Sequence, residues 1–282
     1  MELGLDAFET VATGLDHPEG VAWDPRGRVV AGGEAGQVYA IEDGKISEIA
    51  STGGFMFGVT VGADGVVFAC DYGQGTVVRV APEGEIRTWS TGTAAHPLQV
   101  PNFCAFDDAG GLYVTDSGVW GDDDGLLFRV SPDGETSLWT DRVRAFPNGC
   151  CLSIEGDALL VVESRARRVV RVPIGDDDVA GTPEVVVDLA GSQPDGITLA
   201  ADGTMFVGCY RPDLIWRVPP GGKPEVLAED PDGVVLNQPA NVAFIGPDLD
   251  RLAVSSLGGW NILAVDVGVR GHPLRAGVTT LR

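Results

Sequence analysis

Four short stretches place an oxygen-bearing side chain directly after a proline and ahead of an apolar run: Pro18-Glu19-Gly20, Pro101-Asn102-Phe103, Pro147-Asn148-Gly149 and Pro194-Asp195-Gly196. Carboxylates and amides are hard donors, and two of each bring about two negative charges, which suits a divalent cation. Oxygen-only coordination points to one such ion, Ca²⁺ foremost, with Mg²⁺, Mn²⁺ or Zn²⁺ as alternatives. An ion held in this way polarises a carbonyl oxygen and lowers the pKa of water beside it.

Taken singly, these tripeptides are ordinary turn sequences, in which Pro presets φ and Gly supplies a positive φ. Pro82-Glu83-Gly84, Pro132-Asp133-Gly134 and Pro231-Asp232-Gly233 have the same form. Phase separates the two sets. The chain repeats with a period of roughly 40 to 47 residues, and aligning its six copies puts Glu19, Phe57, Asn102, Asn148, Asp195 and Ala240 at one equivalent position. The other three tripeptides fall after third or fourth strands.

Each copy reads as four short apolar strands separated by Gly and Asp turns, a four-stranded antiparallel meander. In the first copy these are Val21-Ala22-Trp23, Val29-Val30-Ala31, Val38 to Ile41 and Ile46 to Ala50. The sixth copy lacks a convincing fourth strand, and Phe8 to Ala12 has the look of one. The sequence therefore predicts an all-β, six-bladed β-propeller, residues 1–282 forming a single domain, with the N-terminal strand completing the last blade. Strand alternation places the motif, ahead of strand one, on the same face as the loops between strands two and three. Those loops carry Tyr72, Trp120, Tyr210 and Trp260 and would wall the channel mouth. Val21, Val59, Cys104, Cys150, Ile197 and Val242 would line the channel below it.

The formal net charge is −22 and the only lysines are Lys45 and Lys223, a field that repels phosphate backbones and anionic lipid. Nucleic acid and membrane are excluded as partners on this reading. The start of the chain, Met1-Glu2-Leu3-Gly4-Leu5-Asp6, has neither a basic leader nor an apolar core, and no run approaches the length of a membrane span. Cys70, Cys104, Cys150, Cys151 and Cys209 sit mostly in apolar runs without metal-type spacing, as reduced thiols of a cytoplasmic protein would. A soft-metal site at Cys104 and Cys150 is the alternative. His17, His96 and His272 are read as surface or structural residues before acid–base groups.

These motifs, at this phase, resemble the SMP-30/gluconolactonase family of six-bladed propellers over nearly the whole chain. The resemblance implies that Glu19, Asn148 and Asp195 are metal ligands, that Asn102 contacts substrate or a metal-bound water, and that Asp195 is the general base. The implied reaction is hydrolysis of a lactone. Ring opening suits the constellation, since the leaving alkoxide stays tethered and no separate nucleophile is needed; no Gly-x-Ser-x-Gly elbow is present. Where sugar-lactone hydrolases of the family often carry an Arg two residues before the substrate Asn and an Asp directly after it, this chain has Val100 and Phe103. With Phe57, Phe103, Trp120 and Tyr210 as candidate substrate contacts beside Asn102, the expected ligand is a small-molecule lactone or ester less polar than a sugar lactone. Blade packing is the competing role for each aromatic. The alternatives are a phosphotriester hydrolase on the same scaffold, a non-catalytic propeller used for ligand binding or interaction, and a metal-free condensing enzyme resembling strictosidine synthase. A monomer or small homo-oligomer is expected.

Overall fold

Six four-stranded antiparallel sheets follow one another along the chain, each a meander whose strands pair in sequence order. The computed structural model describes residues 2–273 and 275. The innermost strands are Val21–Asp24, Met56–Val61, Pro101–Phe106, Pro147–Leu152, Pro194–Leu199 and Pro239–Ile245. Burial falls off outward from the channel. The second strands Val67–Asp71, Leu112–Asp116 and Ala158–Glu163 are buried from end to end, whereas no residue of the outer strand Lys45–Ser51 is fully buried. Continuous apolar runs therefore mark strands covered on both faces by neighbouring blades. Edge-to-face pairs such as Phe68 with Phe106 and Phe206 with Phe244 join adjacent blades.

The N-terminal strand, Glu9–Thr13, pairs antiparallel with Asn261–Val265 as the fourth strand of the last sheet. Ala12 and Leu15 are buried in the same cluster as Val21 of the first blade and Ala253 and Ile262 of the sixth. This six-bladed β-propeller thus closes by pairing and packing together, and the sheet edge of Asn261–Val265 is covered.

The expected position of the motif needs one correction. It was placed ahead of strand one, but in five blades it lies inside that strand. The pairing register slips there, between Met56 and Val59, Pro101 and Phe103, Pro147 and Cys150, Pro194 and Ile197, and Pro239 and Val242. Proline tolerates the first place in a strand because it has no N–H to give the ladder. The bulge that follows re-aims the next side chain out of the regular alternation.

The glycines divide the same way. Gly84, Gly134 and Gly233, in the tripeptides read as turns, have φ of 91°, 90° and 62°. Gly149 and Gly196 are not left-handed; their need is space, since a Cβ on Gly149 would stand 2.6 Å from the Cα of Gly196 in the next blade.

Acids at the ends of second strands hold the loops that lead into the motif. Asp71 accepts from the N–H groups of Phe55 and Gln74, Asp116 from those of Gln99, Val100 and Gly118, and Glu163 from those of Arg144 and Ala145. Each sits opposite the first residue of its motif. At the opposite end of the ring the C-terminal segment crosses the turns of several blades. Ala201 donates to the Arg270 carbonyl at 2.8 Å, His272 to that of Leu199 at 2.9 Å, and Arg275 reaches the Asp108 carboxylate and the carbonyls of Ser153 and Ile154. Among the described residues no helix is long and apolar enough to cross a membrane, and the five cysteines are free thiols.

Deleting residues 1–13 bares the Asn261–Val265 edge and opens the seam between the first and last blades. We expect the midpoint of thermal unfolding to fall by more than about 10 °C, with self-association of the truncated chain, measured by calorimetry and light scattering.

Candidate metal centre

Asn102, Asn148 and Asp195 lie at the register slips of the third, fourth and fifth blades, Glu19 stands just ahead of the regularly paired inner strand of the first, and all four are buried. Phe57 and Ala240 leave the second and sixth blades without a donor at that position. The Oδ1 atoms of Asn102, Asn148 and Asp195 have no hydrogen-bond partner among the described residues. Three buried acceptors left unpaired side by side are costly.

The carboxylates show the same tension. Burial pushes the Glu19 carboxyl well above its ordinary range, and the charge of Asp195 pushes it further. Asp195 is raised to about 7 by burial, opposed by a hydrogen bond from Asn148. Tyr210 is raised to about 12, first by burial and then by Asp195 and Glu19. These mutual effects draw Glu19, Asn148, Asp195 and Tyr210 together at one place. Two close, desolvated carboxylates repel unless a positive charge lies between them. The unpaired oxygens and this repulsion fit a divalent cation, which the four donors could hold.

The other expected site residues distribute differently. Phe57 stacks on Tyr72 with ring centroids 4.9 Å apart and planes 11° from parallel, and meets Phe55 edge-on. Trp120, 46% exposed, packs edge-on against Phe146, and Trp260, 48% exposed, lies 5.0 Å from the ring of His17. Phe103 instead lines a cavity beneath the ring, together with Cys104, Cys150 and Ile197. Val21 and Val59 join that wall as expected. Val242, at the same register as these residues, packs with Phe206 and Leu252, and its neighbour Ala243 lines the cavity. His272, Pro273 and Arg275 of the C-terminal segment also line the cavity.

His17 has neighbours of its own at the mouth. Its Nδ1 is 2.7 Å from a Glu34 carboxylate oxygen, while Asp16 accepts from Gln37 and from the Ala35 N–H. Asp16, His17 and Glu34 are the one group of His, Cys, Asp and Glu side chains among the described residues whose ligand atoms converge. They are half-buried to exposed and already bonded to one another or to neighbouring residues, which makes them a brace for the loop before Glu19.

Sequence reading missed two features. Where four blades have glycine after the donor position, the third has Phe103 and the sixth Asn241, and in each the second strand supplies a hydroxyl. Thr115 donates to the Asn148 carbonyl at 2.8 Å, and Ser255 donates to that of Glu19. The signal was present as two non-glycine residues at one phase, and its partner hydroxyls lie 12 and 14 residues along the chain.

The structure defines the class: a six-bladed propeller with buried oxygen-bearing side chains on its innermost strands. Residues 88–258 match the SMP-30/gluconolactonase/LRE-like region, and the chain belongs to that family. It is 31% identical over 150 residues to the protein strictosidine synthase-like 3 of Arabidopsis thaliana, covering 48% of this chain and 38% of that protein. It is 26% identical over 181 residues to lactonase drp35 of Staphylococcus haemolyticus, covering 59% and 55%. These matches span little more than half, or less, of the relatives' length. Among solved structures, a putative gluconolactonase superposes with a TM-score of 0.80 at 22% identity, over 94% of this chain and 93% of that one. A gluconolactonase from Xanthomonas campestris gives 0.79 at 18%, over 92% and 89%. The calcium-binding protein regucalcin from Agrobacterium tumefaciens gives 0.74 at 18%, over 94% and 98%. At these identities the structural likeness speaks to the fold.

The raised carboxyl of Asp195 has a sign that can be tested. A carboxyl whose pKa is higher folded than unfolded binds more protons when folded, so between the two values stability falls as pH rises. In chelator, Asp195→Asn removes that penalty. It should raise the unfolding midpoint at pH 8 and leave it little changed at pH 5, a comparison that thermal melts at the two pH values make directly.

Proposed function

We propose that this protein is a divalent-metal-dependent hydrolase that opens a lactone or closely related ester ring. The observation that carries this reading is the set of buried, unpaired oxygens of Asn102, Asn148 and Asp195 together with the mutually repelling carboxylates of Glu19 and Asp195. The family membership and the lactonases among the similar proteins support it.

In this reading Glu19, Asn148 and Asp195 hold the cation, which when bound polarises the substrate carbonyl as a Lewis acid. Asp195 takes a proton from a water molecule as the water oxygen bonds to the carbonyl carbon. The ring C–O bond then breaks, and the alkoxide it releases takes the proton back from Asp195. Both products are one molecule, a hydroxy acid. Asn102 directs its amide to the substrate, and Tyr210, whose hydroxyl stays protonated because ionisation beside two carboxylates is disfavoured, serves as a further donor. Phe57, Trp120 and the exposed Tyr72 and Val119 form an apolar collar, and Phe103 an apolar wall deeper in. Such a collar selects a lactone with hydrocarbon substituents over a polyhydroxylated one. The net charge of −22 disfavours nucleic acid and anionic membrane as partners, and the placement remains cytoplasmic in this reading.

One observation favours a second reading. The similarity to a strictosidine synthase-like protein raises metal-free chemistry by a lone carboxylate at the same channel. Metal removal separates the two. Dialysis against chelator should abolish turnover of an alkyl-substituted lactone, and adding back Ca²⁺, Mg²⁺, Mn²⁺ or Zn²⁺ one at a time should restore it; full turnover without any ion would overturn the metal-dependent mechanism. Asp195→Asn should keep the fold and lower kcat/KM by about 10³-fold, measured by pH-stat titration of the acid released.

A further inference from the structure

The sixth blade breaks the pattern of the mouth twice. Ala240 supplies no donor where four other blades have one, and the next residue, Asn241, stands where the first, second, fourth and fifth blades carry Gly20, Gly58, Gly149 and Gly196. Asn241 is 1% exposed, and neither its Oδ1 nor its Nδ2 has a hydrogen-bond partner among the described residues. Its side chain lies against Gly196, the residue after Asp195, where an added Cβ would stand 2.6 Å from the Asn241 Cα. The backbone is fixed on the other side. The Asn241 N–H donates to Ser255 Oγ at 2.9 Å, and the Ser255 hydroxyl reaches the Glu19 carbonyl. The carboxamide is therefore held between the blade that carries Asp195 and the blade that carries Glu19.

The third blade shows what this slot requires for folding alone. There Phe103 fills it against Gly58, with Thr115 making the same bridge to the next blade, and the side chain in the slot carries no polar atom. A hydrocarbon satisfies the packing. An amide with both ends unpaired weakens the fold, because its donor and acceptor leave water for nothing. Such a group persists where a ligand supplies the missing partners.

We infer that Asn241 is a positioning residue for the attacking water. Its Oδ1 accepts one hydrogen of the water whose other hydrogen passes to Asp195, and its Nδ2 donates to the substrate oxygen alongside. One rigid amide then fixes the two reactants relative to each other, and the water oxygen is left with a lone pair for the carbonyl carbon. The sixth blade contributes orientation where it contributes no ion donor. This inference rests on the hydrolase reading above.

The test uses Asn241→Ala and Asn241→Gly in the full chain, the second restoring the residue found in four other blades. Both variants should bind the activating cation, titrated calorimetrically, within about threefold of the parent, while kcat falls by about 30-fold or more and KM stays within about threefold. Their unfolding midpoints in chelator should equal or exceed the parent's, since an unpaired buried amide has been removed. Retention of kcat within about threefold would overturn the inference. So would a lower unfolding midpoint in both variants, which would make Asn241 a structural residue. If the parent opens no lactone, the hydrolase reading fails on its own, and the melting comparison still decides whether Asn241 is kept at a cost to stability.

Discussion

The closeness with which six innermost strands approach one another at the channel mouth governs the rest of this structure. Backbone meets backbone across the blades, so that Gly149 and Gly196 leave no room for a Cβ between them. That approach is what allows side chains from four separate strands to meet at a point. In five of the six blades the pairing register slips at this point. Acids at the second-strand ends, Asp71, Asp116 and Glu163, hold the entering loops by their N–H groups and keep the bulges in place.

Drawing the strands together has an electrostatic consequence. Glu19 and Asp195 are removed from water and brought within reach of each other's charge, and both are held above the usual carboxylate range. The protein alone does not relieve this; the amide of Asn148 offsets it only in part. A cation bound there would reverse the sign of the interaction, turning two repelling groups into two ligands, and would give the unpaired oxygens of Asn102, Asn148 and Asp195 a partner. The mouth is in this sense built at the expense of stability, as functional sites commonly are. Asn241, buried and unpaired, extends the same pattern to the sixth blade.

The two ends of the channel are unlike. At the mouth, half-exposed aromatics on long loops surround the polar ring. At the other end, the C-terminal segment bonds to the turns of the third to sixth blades and lines the cavity with Cys104 and Cys150. Trp120 and Trp260 are the most exposed aromatic rings among the described residues.

The sequence by itself determined the architecture and which oxygen-bearing side chains share one phase of the repeat. A period of apolar strands and turns repeated six times is local information, and a residue such as Asn148 or Asp195 is recognisable because its phase matches that of Glu19. The displaced fourth strand of the last blade could be read at Phe8 to Ala12 for the same reason. Only the tertiary structure decided why the motif glycines are glycines, since space across blades, unlike a positive φ in a turn, has no signature within the tripeptide. It likewise decided that Phe103 belongs to the wall below the ring, and that Asn241 stands unpaired against Gly196. Each of these depends on what a neighbouring blade, some 45 residues away in the chain by the repeat period, places against the residue, and pairwise contacts of that kind are absent from any single repeat.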